Sequence, residues 1–339
     1  LKQLSEVEVI FHPRPSIPMP RSIPVLAICC LDLLALPCPA SYLRKSRRST
    51  VPREMPRIMY GTAWKEENTT KLVKEALSLG FKGIDTANQP LHYREDLVGL
   101  AIEEFLAENQ DMTREAIFLQ TKYSPHQNME SYEQELIPYS ADAPINQQVR
   151  QSVSKSLTNL RTSYIDSIVL HSPMDSLEEN KQVWGVLEKF VNDGKIKKLG
   201  FSNIYDLQLL KQMHAWATVK PTVVQNHFTW EECFDVEMRQ WCSENNVKYQ
   251  SFWTLTANTP VVGLEEIRQI AKKRGMTPEQ VWYLWVMREG VVPLIGATSS
   301  EHMQQDLNLL NKAPLTDEEH GNVADKIEVR SRCAQIKID

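Results

Sequence analysis

The sequence predicts an α/β protein whose core is a closed (β/α)8 barrel. From residue 56 onward, short β-branched apolar runs alternate with longer stretches whose apolar residues recur at helical spacing. Most of the eight runs are followed directly by a helical pattern, and none by a long break, the order that gives a parallel sheet wrapped by helices. The chain has 339 residues, enough for one barrel of roughly 250 residues plus extensions.

The expected strands are 57–62, 81–86, 117–122, 167–171, 197–202, 222–226, 247–252 and 291–296. The expected helices are 69–79, 94–109, 146–161, 176–192, 205–217, 234–245 and 299–310, with a further one opened by Thr277-Pro278-Glu279-Gln280 and running to about Arg288. Thr69 is read as the cap of the first helix, and Ser299-Ser300-Glu301 opens the helix after the last strand. Asp193-Gly194 supplies a stop signal after Val191. An open doubly wound sheet would need a glycine-rich nucleotide loop. The 12 glycines contain no GxG and no phosphate-loop pattern, so any dinucleotide must be held by other means.

Residues 1–55 differ in character. They carry eight Lys/Arg against four Asp/Glu, a net of +4, which leaves −9 for the rest of a chain whose total is −5. Many prolines and no regular period mark an irregular, poorly ordered extension. Its apolar stretch 23–40 leaves a targeting segment or membrane association as alternatives, although Pro24 and Asp32 interrupt it well short of about 20 residues. The expected organisation is thus an extension 1–55, a barrel 56–315 and a C-terminal tail 316–339.

The charge balance gives no global attraction to nucleic acid or anionic membranes, which points to small-molecule partners. Six cysteines without CxxC spacing fit a reducing, cytoplasmic setting. No HExxH or His/Cys cluster suggests a metal.

Three polar residues close separate apolar runs: Asp85 in Gly83-Ile-Asp-Thr, Lys122 in Gln120-Thr-Lys, and His171 in Ile168-Val-Leu-His. On parallel barrel strands these ends meet at one mouth. Each alone has a plainer reading: a helix cap for Asp85, a solvated charge for Lys122, a core imidazole for His171. Their occurrence on strands two, three and four favours a shared site.

Residues 56–312 resemble an aldo-keto reductase. The matching pieces are Tyr60-Gly-Thr-Ala63, Gly83-Ile-Asp-Thr-Ala87, Gln120-Thr-Lys122, Leu170-His-Ser172, Leu199-Gly-Phe-Ser-Asn203, Val224-Gln-Asn226 and the segment Pro293 to Asp306. Ile84-Asp-Thr-Ala-Asn-Gln89 with a displaced tyrosine, and Gln250-Ser-Phe-Trp-Thr-Leu-Thr-Ala-Asn258, resemble fungal members. The resemblance implies reduction of aldehydes or ketones by NADPH bound across the barrel mouth, and a place in fungal secondary-metabolite or toxin biosynthesis. It implies a catalytic tetrad of Asp85, Tyr93, Lys122 and His171, with His171 also binding the substrate carbonyl.

That tetrad has a physical logic. Charge builds on the carbonyl oxygen as hydride arrives, so a positioned proton donor lowers the barrier. Tyrosine, with a pKa near 10, needs a cation such as Lys122 beside it to donate readily, and Asp85 would hold that lysine charged. The family spacing puts the tyrosine about five residues after the aspartate, where this chain has Pro90. Tyr93 lies eight residues on, beside His92.

The resemblance also implies cofactor contacts from Thr62, Asp85, Ser202, Asn203, Gln225, Ser251, Phe252, Trp253, Ser299, Ser300, His302, Gln305 and Asp306. Two positions depart from the family. Gln250 stands where an aromatic usually stacks under the nicotinamide, with Tyr249 and Trp253 as nearby rings. Gly296 and His302 stand where Lys and Arg usually meet the 2′-phosphate, so NADH is the alternative to NADPH. Loops 123–145, 227–233 and 254–264 are expected to shape the substrate site, the first as a lid. A regulatory subunit that senses the nucleotide with little turnover is the competing function.

Overall fold

The computed structural model describes residues 54–330 apart from 130, 131, 134 and 135. The apolar stretch 23–40 and nearly all of the expected extension lie outside the described residues. Eight parallel strands close in chain order into a barrel. They are β1 (Met59–Gly61), β2 (Gly83–Asp85), β3 (Phe118–Tyr123), β4 (Ser167–Leu170), β5 (Leu199–Ser202), β6 (Val223–His227), β7 (Lys248–Phe252) and β8 (Val292–Ile295). Closure comes from β1 against β8, with Met59 beside Leu294 and Tyr60 beside Ile295.

The helices are α1 (Thr69–Leu79), α2 (Glu95–Glu108), α3 (Ile145–Asn159), α4 (Leu177–Asn192), α5 (Leu207–Trp216), α6 (Val236–Glu244), α7 (Thr259–Val262), α8 (Glu265–Arg274), α9 (Pro278–Arg288), α10 (Ser300–Asn308) and α11 (Asp317–Arg330). Local chemistry explains their limits. Ser176 and Thr277 each form a capping box, with Glu179 and Gln280 as reciprocal partners. Asp206 accepts from Gln208 and Leu209 and starts α5 one residue later. The start expected at 234 moves to Val236 because Cys233, Phe234 and Asp235 all have left-handed φ, between 52° and 57°. Thr69 does not cap α1; its hydroxyl donates to Glu66 O at 2.7 Å from inside the helix.

Three helices go beyond the sequence expectation: the four-residue α7, α8 and α11. Helix α8 precedes α9 in the long β7–β8 connection and ends at Gly275, φ 62°. The expected tail contains α11, opened by reciprocal hydrogen bonds between Thr316 and Glu319. Arg274 Nε donates to Glu319 at 3.0 Å, and Val323 and Ile327 bury into the core. No helix among the described residues is long and apolar enough to cross a membrane.

The helix layer packs tightly. A Cβ on Gly99 of α2 would lie 2.0 Å from Asn159 O and 2.7 Å from Leu160 Cα, so only glycine admits the end of α3 there. Inside the barrel, the floor is apolar: Met59, Phe118 and Val292 cluster with Met55 and Leu294. Above them lies an amide layer. Gln250 Oε1 accepts from Gln120 Nε2 at 2.7 Å and Gln225 Nε2 at 2.8 Å, and Gln250 Nε2 contacts Met55 Sδ at 3.2 Å. This layer supports the charged groups at the mouth.

Candidate active site

Asp85 ends β2, Lys122 lies one residue before the end of β3, and His171 directly follows β4, so the barrel brings all three to one rim. Lys122 Nζ donates to Asp85 Oδ2 at 2.6 Å and to Thr86 O at 2.8 Å. The other Asp85 oxygen accepts from Gln120 Nε2 at 2.8 Å and Gln225 Nε2 at 3.1 Å. A buried carboxylate is thereby fully engaged.

Tyr93 joins them despite its spacing. The loop folds into a turn in which His92 N and Tyr93 N both donate to Gln89 O, at 3.2 and 3.1 Å, and Asn88 N donates to Lys122 O at 3.2 Å. That turn absorbs the extra residues. Lys122 Nζ lies 4.9 Å from the Tyr93 ring centroid, and the Tyr93 and His171 rings meet edge-on at 5.9 Å. His92 is turned to other partners: its Nδ1 pairs with Gln89 Oε1 at 2.7 Å and its ring lies 3.9 Å from that of Trp64.

His171 Nδ1 and Ser124 Oγ are 2.7 Å apart, and Asn203 Nδ2 donates to His171 O at 2.8 Å. When Ser124 donates to Nδ1, Nε2 keeps its proton as a donor. Burial, and then the charge of Lys122, hold the imidazole well below the usual histidine range. Burial alone would lower Lys122, but Asp85 and then Tyr93 outweigh it and hold the ammonium above its ordinary value. Burial outweighs the pull of Lys122 and holds the Tyr93 phenol above its ordinary value. The tetrad thus keeps a charged lysine, a neutral histidine and a protonated tyrosine.

A cavity of about 900 Å³ opens beside them, lined by Asp85, Tyr93 and His171 at one end and by α9 and α10 residues at the other. Its size fits a cofactor-sized ligand. Of the expected cofactor contacts, Ser202, Asn203, Gln225, Phe252, Trp253, His302, Gln305 and Asp306 line it along with Asp85. Thr62, Ser251, Ser299 and Ser300 do not. Thr62 Oγ1 donates to Asp85 O at 3.0 Å, Ser251 Oγ pairs with Thr254 Oγ1 at 2.7 Å, Ser299 Oγ caps α10 through His302 N, and Ser300 Oγ donates to Glu75. These four hold the wall from behind.

Where the resemblance expects a stacking aromatic, Gln250 belongs to the amide layer, and Tyr249 OH donates outward to Asp235 Oδ2 at 3.0 Å. The nearest ring in the lining on β7 is Phe252, stacked on His227 at 5.6 Å. Among the expected substrate loops, Thr254, Leu255 and Thr256 line the cavity. Loop 123–145 reaches the site through Tyr139 OH, which donates to Ser124 O at 2.7 Å.

Sequence reasoning missed Lys65, Glu279, Gln280 and Tyr283, all in the lining. Lys65 is 8 % exposed, its ammonium donates to Gly296 O, and it lies 3.6 Å from the place of a Cβ on Gly296. Burial lowers its pKa. Its position just after Gly61-Thr62-Ala63-Trp64 was a usable signal.

A proton donor, a cation beside it and a neutral imidazole bordering a cavity of this size suit reduction of a carbonyl. The comparisons agree. The Aldo/keto reductase family model matches residues 57–328. Glyoxal reductase of Bacillus subtilis is 29% identical over 71% of this chain and 78% of its own. NADPH-dependent codeinone reductase 1-2 of Papaver somniferum is 24% identical over 83% of this chain and 89% of its own. A solved aldo-keto reductase in complex with NADPH superposes with a TM-score of 0.67 at 20% identity, over 80% of this chain and 84% of that one. The chain belongs to the aldo/keto reductase family.

Proposed function

We propose that this enzyme reduces a small aldehyde or ketone to its alcohol, with NADPH as hydride donor and Tyr93 as general acid. The observation that carries this reading is the meeting of Tyr93, Lys122, Asp85 and His171 at one end of a dinucleotide-sized cavity. The residues present fit the cofactor: hydroxyl and amide groups of Ser202, Asn203 and Gln225 offer donors and acceptors beside the tetrad. When bound, NADPH supplies the hydride. His171 orients the carbonyl through a ring N–H, and Tyr93 gives its proton to the oxygen as charge develops there. Lys122, kept charged by Asp85, stabilises the phenolate left behind. Relatives named for carbonyl reduction, one of them acting on codeinone, support a role in secondary metabolism.

The test is consumption of NADPH by the full chain against a panel of aldehydes and ketones, with Tyr93→Phe as control. Turnover should fall by about 10²–10⁴-fold in the variant while cofactor binding persists. Tight nucleotide binding without turnover in the wild-type protein would favour a sensing subunit instead.

A further inference from the structure

Glu95, the first residue of α2, is buried and takes no part in the tetrad, yet it ties together the two segments that supply Tyr93 and Lys122. Its Oε1 accepts from Thr121 Oγ1 at 2.6 Å and its Oε2 from Asn159 Nδ2 at 3.1 Å, with Ser156 as a further hydrogen-bond partner. Thr121 immediately precedes Lys122 on β3. Side chains alternate across a strand, so Lys122 turns into the lumen towards Asp85 while Thr121 turns to the helix layer, where Glu95 meets it. Tyr93 stands just before α2, with only Arg94 between it and Glu95.

Other anchors for this stretch are weak. Arg94, at the start of α2, makes no side-chain cap. Its ion pairs with Glu67 and Asp96 lie at the surface, where such pairs hold little. The path of the chain from Tyr93 into the helix therefore depends on Glu95. Upstream, Asn88 Nδ2 donates to Ser152 O at 2.9 Å. Ser152 and Asn159 stand about two turns apart on α3, so that helix holds the tyrosine segment at both ends. Gly99, one turn beyond Glu95 on the same face of α2, lets Asn159 come close enough for this.

We infer that Glu95 is a positioning residue for the proton donor: its carboxyl fixes the segment carrying Tyr93 to the strand carrying Lys122, and so sets the approach of the phenol to the ammonium. The inference rests on the reading of Tyr93 as general acid given above. Lys122 Nζ lies 4.9 Å from the Tyr93 ring centroid, and its pull on the phenol weakens as that separation grows. A displacement of about 1 Å at a reacting group can cost on the order of a hundredfold in rate.

The full chain is compared with Glu95→Ala, Thr121→Val and Glu95→Gln in three measurements. These are NADPH affinity by calorimetry, the single-turnover rate of NADPH oxidation with para-nitrobenzaldehyde, and the NMR resonance of tyrosine labelled at Cζ, assigned through Tyr93→Phe. Glu95→Ala and Thr121→Val should each slow the first turnover by about tenfold to a hundredfold and shift the Tyr93 resonance. Their NADPH dissociation constants should stay within about twofold of wild type. Burial raises the Glu95 carboxyl to about 7, so glutamine copies its protonated form and should restore the rate to within about threefold. Should Glu95→Ala fail to fold, the near-isosteric Thr121→Val decides. An unchanged rate or an unmoved Tyr93 resonance in the folded variants overturns the inference, as does a glutamine variant no better than alanine. A rate loss matched by lost NADPH affinity overturns it too. Absence of turnover in the wild-type protein counts instead against the reductase reading, and the Tyr93 resonance then still decides whether Glu95 places the phenol.

Discussion

Lys122 Nζ and Asp85 Oδ2 stand 2.6 Å apart in the barrel, with side chains only 1% and 2% exposed. A pair so buried depends on both members, because loss of one leaves a charge that water cannot reach. Lys122→Met and Asp85→Asn should each lower unfolding free energy by about 3–5 kcal/mol. The double variant should lose clearly less than the two combined, because it removes both charges. Urea unfolding of the four proteins measures this coupling, and simple additivity would contradict it.

His171 should be neutral throughout the range above about pH 6.5, the ordinary histidine value, since burial and Lys122 hold it lower. The pH profile of kcat/KM should therefore show no ionisation of this residue between about pH 6.5 and 8. Linkage gives the sign for stability. Below the ordinary histidine pKa the unfolded chain binds a proton that the folded imidazole refuses, so stability falls as pH drops. His171→Gln should remove that component from the acid side of the stability curve.

Glu95 gives the opposite slope. This 3 % exposed carboxyl accepts from Thr121 Oγ1 at 2.6 Å and Asn159 Nδ2 at 3.1 Å, and burial pushes it up to about 7. Between the unfolded value of about 4.3 and its folded one, the folded state binds the extra proton, so stability declines as pH rises through that window. The decline should amount to roughly 3 kcal/mol. Urea unfolding at pH 5 and pH 8 should show it in the wild type and not in Glu95→Gln.

Gly99→Ala tests the packing of α2. Alanine favours a helix interior by about 1 kcal/mol over glycine. Here its methyl group would meet backbone, 2.0 Å from Asn159 O, so a helix must move. Overpacking of this kind costs about 1–3 kcal/mol, and net destabilisation should appear as a lower Tm. An unchanged or raised Tm would show that the α2–α3 contact yields freely.

Much of the fold was legible because strand ends carry their own punctuation. The runs ending at Asp85, Lys122 and His171 all became strands or strand ends, and Thr277 and Ser299 cap the helices they were read to cap. Tyr93 was harder, because its fit depends on the Gln89 turn, which spacing alone does not reveal. The far end of the cavity was least legible. Glu279, Tyr283 and Asp306 come together only when α9 and α10 both border the same cavity. Helix α11 was hidden by its polar composition, although Thr316 and Glu319 hold the spacing of a capping box.

The floor of Met55, Met59, Phe118, Val292 and Leu294 has a consequence for proton traffic. Thioether and hydrocarbon close the underside of the lumen, beneath amides that Gln120, Gln225 and Gln250 spend on one another and on Asp85. Among the described residues, that floor offers no hydroxyl or charged side chain beneath the amides. On the proposed role of Tyr93, the protons it spends are expected to return by the entrance that admits the substrate, so that resupply of the acid and exchange of product for substrate take turns there.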